Sequence, residues 1–208
     1  MFSLKIHLLK ITILLSLIMM SLCSCAITRP TPAETMTTPP LATHSREQTL
    51  LHLQNWQLNG KLAIQSAKNA TSAALNWRQQ QQRYSISLLG PLGSGELTII
   101  GRPGFVRLQM SNGQFATSQS PEQLLSEHVG FRLPVSYLYY WIRSLPAPHV
   151  TAKTHYDANG RLRELQQQGW KIQFLSYIPA RGIDLPSKIF ISSSLFKIKI
   201  IIYQWQIM

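Results

Sequence analysis

The 208 residues are enough for one domain with a substantial core, and only 13% of them are charged, with a formal excess of +12. The only cysteines, Cys23 and Cys25, stand together near the N-terminus, which excludes a disulfide framework or a cysteine-rich metal centre in the body of the chain. The basic excess is compatible with nucleic acid, anionic lipid or an acidic protein, and charge alone does not choose among them.

Lys5 and Lys10 precede the uncharged apolar run from Ile11 to Met20, which ends in Ser21-Leu22-Cys23-Ser24-Cys25. The run is shorter than the roughly 20 residues of a comfortable bilayer span and closes on small residues, so residues 1–24 are expected to be a cleaved signal peptide. A single retained transmembrane helix is the competing reading. Leu22-Cys23-Ser24-Cys25 resembles the lipobox of bacterial lipoproteins. That resemblance implies that Cys25 carries a diacylglyceryl group on sulfur, becomes the mature N-terminus and is acylated on nitrogen. Ala26 follows, where an aspartate would signal retention at the inner membrane, so the same resemblance implies the outer membrane, with the protein facing the periplasm. Cleavage removes Lys5 and Lys10 and takes the formal charge from +12 to +10. Export makes nucleic acid the least fitting of the three partners.

Residues 25–43 are rich in Pro and Thr, as in Thr28-Arg29-Pro30-Thr31-Pro32 and Thr37-Thr38-Pro39-Pro40, and without apolar partners they are expected to be a solvated tether. Residues 44–208 are then the folded domain. A helix is predicted from Ser45 to about Gln54, with Ser45 as its cap. From Trp56 the period becomes two: Trp56, Leu58, Gly60, Leu62 and Ile64 share one face. The alternation returns in Ala73-Leu75-Trp77, Tyr84-Ile86-Leu88, Leu97-Ile99 and Val106-Leu108-Met110, separated by turns at Gly90-Pro91-Leu92-Gly93, Gly101-Arg102-Pro103-Gly104 and Ser111-Asn112-Gly113. Ser120-Pro121-Glu122-Gln123 reads as a capping box opening a helix that Gly130 ends, and a second helix is predicted after Pro134, carrying Leu138, Trp141, Ile142 and Leu145 on one side. Strands resume around the turn Asp157-Ala158-Asn159-Gly160 and close with Phe196 to Trp205, whose run Ile200-Ile201-Ile202 predicts a strand covered on both faces. The expected fold is mainly β with α: an incomplete antiparallel half-barrel of about eight to eleven strands, with two or three helices over its open side and a hydrophobic cavity beneath them.

Chemistry is sparse. The eight acidic residues are scattered, several at turns and helix starts, and His44, His52, His128, His149 and His155 show no i, i+4 ligand spacing. Neither a nucleophile elbow nor a phosphate-cradling glycine loop is present. No enzyme activity, metal or other cofactor is therefore expected. The aromatic residues fit a core, or the wall of a dry pocket able to hold acyl chains.

The ordered series Trp56-x-x-x-Gly60-Lys61-Leu62-Ala63-Ile64, Ala73-Ala74-Leu75-x-Trp77, Tyr84-x-Ile86-x-Leu88-Leu89-Gly90-Pro91-Leu92-Gly93-Ser94-Gly95-Glu96-Leu97, Pro134-Val135-x-x-Leu138-x-x-Trp141, Leu145-Pro146-x-Pro148, Gln168-Gly169-Trp170 and Leu185-Pro186 resembles the LolB family of outer-membrane lipoprotein receptors. The resemblance runs from about Trp56 to Trp205. It implies a monomer that accepts acylated lipoprotein cargo from a LolA-like periplasmic carrier and inserts it into outer-membrane lipid, without nucleotide or metal. It also implies a membrane-insertion loop at Gly90, Pro91, Leu92 and Gly93, with Leu92 at the tip. Trp77, Leu88, Leu138, Trp141 and Trp170 are the candidate lining of the acyl cavity. A structural lipoprotein that acts as an interaction module in an envelope assembly explains the anchor, tether and charge without any cavity, and is the alternative.

Overall fold

The computed structural model describes residues 41–91, 95–130 and 133–208. The signal peptide, Cys25, most of the tether, Leu92 and Gly93 lie outside the described residues. The chain opens with α1 (Leu41–His52), followed by β1 (Asn55–Ser66), β2 (Ala70–Gln80), β3 (Arg83–Leu89), β4 (Glu96–Arg102), β5 (Phe105–Met110) and β6 (Phe115–Ser118). Helices α2 (Pro121–His128) and α3 (Val135–Trp141) come next, and β7 (Ala152–Tyr156), β8 (Leu162–Gln167), β9 (Trp170–Ala180), β10 (Ile183–Ser192) and β11 (Phe196–Ile207) complete it.

All eleven strands form one antiparallel sheet in the order β6-β5-β4-β3-β2-β1-β11-β10-β9-β8-β7, open and not closed into a barrel. The first and last strands are therefore neighbours in the middle of the sheet, and the two edges, β6 and β7, are consecutive in sequence. The connection between those edges, residues 119–151, carries α2 and α3 across the apolar face.

Period-two alternation puts one set of side chains on that face. Trp56, Leu58, Gly60 and Ile64 of β1 are buried, as are Leu75 and Trp77 of β2. Trp56 packs against Trp77 and Trp205 with ring centroids 5.3 and 5.2 Å apart, in the tilted and edge-on arrangements that aromatic quadrupoles favour. Gly60 belongs to the same row for a steric reason: a Cβ there would lie 2.2 Å from the Ile201 carbonyl oxygen of β11. A second tight approach pairs Gly101 with Tyr84 directly across β4 and β3, where the tyrosine ring fills the space that the missing side chain leaves.

Four local expectations are corrected. Helix α1 starts at Leu41, so Ser45 lies inside it and its carbonyl accepts from Thr49 Oγ1 at 3.0 Å; an N-cap-like residue is tolerated within a helix when its backbone is already paired. At α2, Ser120 caps as predicted by accepting from the Gln123 N–H, but the Gln123 side chain donates to Glu127 at 2.9 Å, so the reciprocal half of the capping box is not made. Helix α3 stops early: Ser144 takes φ +58°, the Ser144 N–H bonds the Trp141 carbonyl and the Leu145 N–H bonds the Tyr140 carbonyl, a Schellman closure that leaves Leu145 outside the helix.

The fourth correction concerns β11, which is covered on one face only. Lys197, Lys199 and Tyr203 are exposed, Ile201 is half-buried, and Ile198, Ile200 and Ile202 point to the core. Its register slips at Asn59/Gly60, so Tyr203 is bulged and the alternation changes phase before Trp205 turns inward again. The apolar run conceals that bulge in the sequence.

The tightness of the central seam gives a direct expectation. Gly60→Ala destabilises the domain by about 1–3 kcal/mol, because the methyl group meets backbone that is held by both sheet neighbours. Urea unfolding followed by tryptophan fluorescence checks it, with a lower midpoint expected at unchanged slope.

Candidate functional site

An apolar cavity of about 500 Å³ lies between the β1–β4 half of the sheet and the edge-to-edge connection. The sheet contributes Leu62 and Ile64, Ala73, Leu75 and Trp77, Ile86 and Leu88, and Leu97 and Ile99; the cover contributes Leu125, Val129, Leu133, Val135, Leu138 and Ile142. Both sides follow from pattern: alternate strand residues face inward, and α3 places Val135, Leu138 and Ile142 on one stripe at i, i+3 and i+7. Among the described residues the cavity reaches Gly90, Gly95 and Glu96, the base of the β3–β4 connection. That connection is closed by a 3.0 Å hydrogen bond from the Gly90 N–H to the Gly95 carbonyl, with Gly95 at φ +91° and Pro91 exposed. Leu92 and Gly93 follow outside the described residues.

Beyond the opposite end of the cavity lies a larger cleft of about 1080 Å³ with a mixed polar and apolar wall, and Trp77 and Val135 line both spaces. Gln54, Asn55, Gln79, Gln80, Gln81, Gln82, Arg83, Tyr84 and Arg102 form one side of the cleft, and Ser136, Tyr139, Tyr140 and Arg143 of the cover form the other. Burial pushes the Tyr84 hydroxyl up to about 12, with the nearby Glu122 charge adding to the effect, so the phenol stays neutral and can donate a hydrogen bond at ordinary pH.

The aromatic candidates divide. Trp77, Leu88 and Leu138 line the apolar cavity. Trp141 does not: it is fully buried, donates from Nε1 to Gln167 Oε1 at 2.9 Å and packs with its ring centroid 6.3 Å from Trp170. Gln167 in turn accepts from the Ala147 N–H and donates to the Ala147 and Val150 carbonyls, so this cluster braces the chain leading into β7. Trp170 lines a separate cleft with Gln166, Gln168 and Lys171. Period-two spacing reports which face a residue takes and not how far along the sheet it lies, which is why the five candidates could not be separated by pattern.

Arg143 escaped the sequence reading. It is 1% exposed, yet it has no carboxylate partner among the described residues. Its guanidinium donates to the Leu50 and Leu53 carbonyls at 2.9 and 2.8 Å and to the Tyr139 carbonyl at 3.1 Å, and it stacks 4.1 Å from the Tyr139 ring centroid. Burial lowers its pKa, opposed by the two neighbouring tyrosines. Three carbonyl dipoles and an aromatic face replace a counterion here, two of the carbonyls belonging to the end of α1 and the residue just after it. A single charged residue in the apolar run Trp141-Ile142-Arg143-Ser144-Leu145 was the available sign.

The LolB outer-membrane lipoprotein family model matches residues 54–205. The chain belongs to the LolB family. Relatives named outer-membrane lipoprotein LolB include one from Pseudomonas syringae, 38% identical over 167 residues that cover 80% of this chain and 82% of the relative. Another, from Pseudomonas fluorescens, is 40% identical over 162 residues covering 78% and 79%. In fold, this LolB-family chain is similar to a LolA superfamily protein from Nitrosomonas europaea, with a TM-score of 0.54 at 8% identity covering 82% of this chain and 94% of that one. A lipoprotein-sorting protein domain from Vibrio parahaemolyticus aligns with a TM-score of 0.53 at 5% identity, covering 79% and 90%. Membership makes the chain an outer-membrane lipoprotein of the lipoprotein-localisation pathway and not an enzyme.

Removing the Arg143 guanidinium strands two buried carbonyls at the end of α1. Arg143→Met is therefore expected to destabilise the domain by about 2–4 kcal/mol, seen as a lower thermal midpoint. Arg143→Lys recovers only part of the loss, because one ammonium cannot reproduce the planar fork or the stacking.

Proposed function

We propose that this chain is the receptor that accepts lipoproteins at the outer membrane, taking their acyl chains into the apolar cavity and passing them into the bilayer. The observation that carries this reading is the cavity itself: a mainly apolar space walled by alternating strand residues on one side and by helical residues on the other, in a chain of the LolB family. A LolA-like carrier is the donor, and a carrier of related fold can present the same kind of ligand to the same kind of wall. Transfer needs no nucleotide. Each buried methylene contributes about 0.8 kcal/mol, so a difference of two or three methylenes in burial between carrier, receptor and bilayer gives direction at each step.

Cys25 is the site of the lipid anchor, with the segment to residue 43 as tether, and one copy of the chain suffices for the cycle. Gly90-Pro91-Leu92-Gly93 serves as the insertion loop. Its base adjoins the cavity, so a chain leaving there meets the loop first, and the Leu92 side chain can enter hydrocarbon without leaving a polar group unsatisfied.

The deciding experiment loads a LolA-type carrier with radiolabelled lipoprotein, mixes it with the Cys25→Ala form of the chain and follows the label by pull-down. Movement of label to this chain is expected; label retained on a competent carrier sinks the receptor reading in favour of an envelope interaction module. Two substitutions separate the steps. Ala73→Trp places a large ring in the cavity, displaces about two methylenes of a palmitoyl probe and lowers its affinity roughly tenfold. Leu92→Glu leaves acceptance intact and blocks release into vesicles from the membrane-anchored form, since a carboxylate in hydrocarbon costs several kcal/mol. Unimpaired release by that variant would remove the loop assignment alone.

A further inference from the structure

We propose that the larger cleft beyond Trp77 is a second subsite, one that holds the extended polypeptide following the acylated cysteine of a cargo lipoprotein. This rests on the acyl-chain reading above. Continuity is the first observation: Trp77 and Val135 line both the apolar cavity and the cleft, so a ligand whose chains fill the first has its polar portion at the mouth of the second. Size is the next. At about 1080 Å³ the cleft is far larger than a glyceryl linker needs, and it has the scale of several residues of extended chain.

The chemistry of the wall selects the class. Apolar and aromatic residues are interspersed there with the side-chain amides of Gln54, Asn55, Gln79, Gln80, Gln81 and Gln82, and each amide offers a donor and an acceptor, the same pair that a peptide backbone presents at every residue. Amides can therefore hold a polypeptide whatever its side chains, which suits a receptor of unrelated cargoes. The frame behind them is fixed. Gln79 is 2% exposed and fully engaged, accepting from Trp77 Nε1 at 3.2 Å and donating to the Gln81 carbonyl at 2.7 Å. The Gln81 N–H bonds the Gln54 carbonyl and Asn55 Oδ1, tying the β2–β3 turn to the start of β1, with Gln81 itself at φ +54°. The exposed side chain of Gln82 makes no hydrogen bond to the rest of the described chain and faces the cleft on this braced turn. Arg83 and Arg102 border the cleft from strand positions that alternate to the outer face, where Arg102 lies 5.3 Å from the Phe105 ring centroid, and the Glu122 carboxylate stands at the cleft's edge, accepting from the Ser136 N–H at 2.8 Å.

The test uses the full chain with Cys25→Ala and two probes. One is dipalmitoylglyceryl-cysteine amide; the other is the same lipidated cysteine extended by about ten Ser, Asn and Asp residues, roughly 33 Å when extended. The extended probe is expected to bind about tenfold more tightly, the gain of two or three net hydrogen bonds. In the double variant Gln54→Ala, Gln82→Ala, both at exposed positions of the cleft wall, that advantage disappears while the short probe binds as before and the thermal midpoint is unchanged. Equal affinities for the two probes in the Cys25→Ala chain, or a variant that loses both probes alike, overturn the subsite alone. Failure of the short probe to bind at all overturns the acyl-chain reading itself.

Discussion

A sheet that does not close must finish its apolar face with something other than sheet, and everything functional in this domain depends on how that is done. The strand order leaves edges at β6 and β7, which are consecutive in sequence, so one connection spans the whole inner face. Helices α2 and α3 within that connection are short, and a short helix presents only a narrow stripe. They meet the sheet without filling the space above β1–β4, and the cavity is what remains. A closed barrel of fewer strands would have packed its interior with side chains.

The two halves of the sheet are treated differently. Over β8–β11 the face is packed solid, with Leu165, Ile172, Phe174, Leu185 and Ile189 all fully buried, and Gln167 locks the return of the connection onto β7. Over β1–β4 the same kind of residue is left lining empty space. Between them stand Trp56, Trp77 and Trp205, large enough to end the packed region abruptly. Arg143 ties α1 to the end of α3 through carbonyls alone, and Arg46 and Glu47 fasten α1 to the packed half through the Asp184 carbonyl and the Tyr156 hydroxyl. The cover is thus anchored at both edges of the sheet, since α2 packs on β5 and β6 with Leu124 and Leu125 buried.

Sheet class, the inward faces of the early strands, the capping of α2 by Ser120 and the presence of a cavity were legible in the sequence, because each is a short-range pattern. The Trp56–Ile64 alternation is one such pattern, and the Ser120-Pro121 start of α2 is another. What was not legible depends on partners distant in sequence. The bulge at Tyr203 exists because β11 pairs β1 across Gly60, and nothing within residues 196–207 announces it. Trp141 and Trp170 have the same spacing and composition as true cavity residues, and only the position of their strand and helix ends assigns them to the packed half. Hairpins told the same story: Gln168-Gly169 and Arg181-Gly182 both take paired positive φ, turns of type I′ whose first residue carries no sequence signature for it. In each turn the pairing of the adjacent strands holds the first residue, Gln168 or Arg181, in a left-handed conformation that the glycine after it adopts readily.

The seam between β1 and β11 has a consequence for how the protein is made. It joins residues 55–66 to residues 196–207, so the most central pairing in the sheet links the most distant parts of the domain. Contacts of that separation raise the entropic barrier to folding and form late. A nascent chain lacking its last dozen residues has β1 as an unpaired edge with Trp56 and Leu58 uncovered, and the tryptophan cluster cannot assemble. The domain as a whole therefore becomes foldable only once β11 is available to close the centre of the sheet.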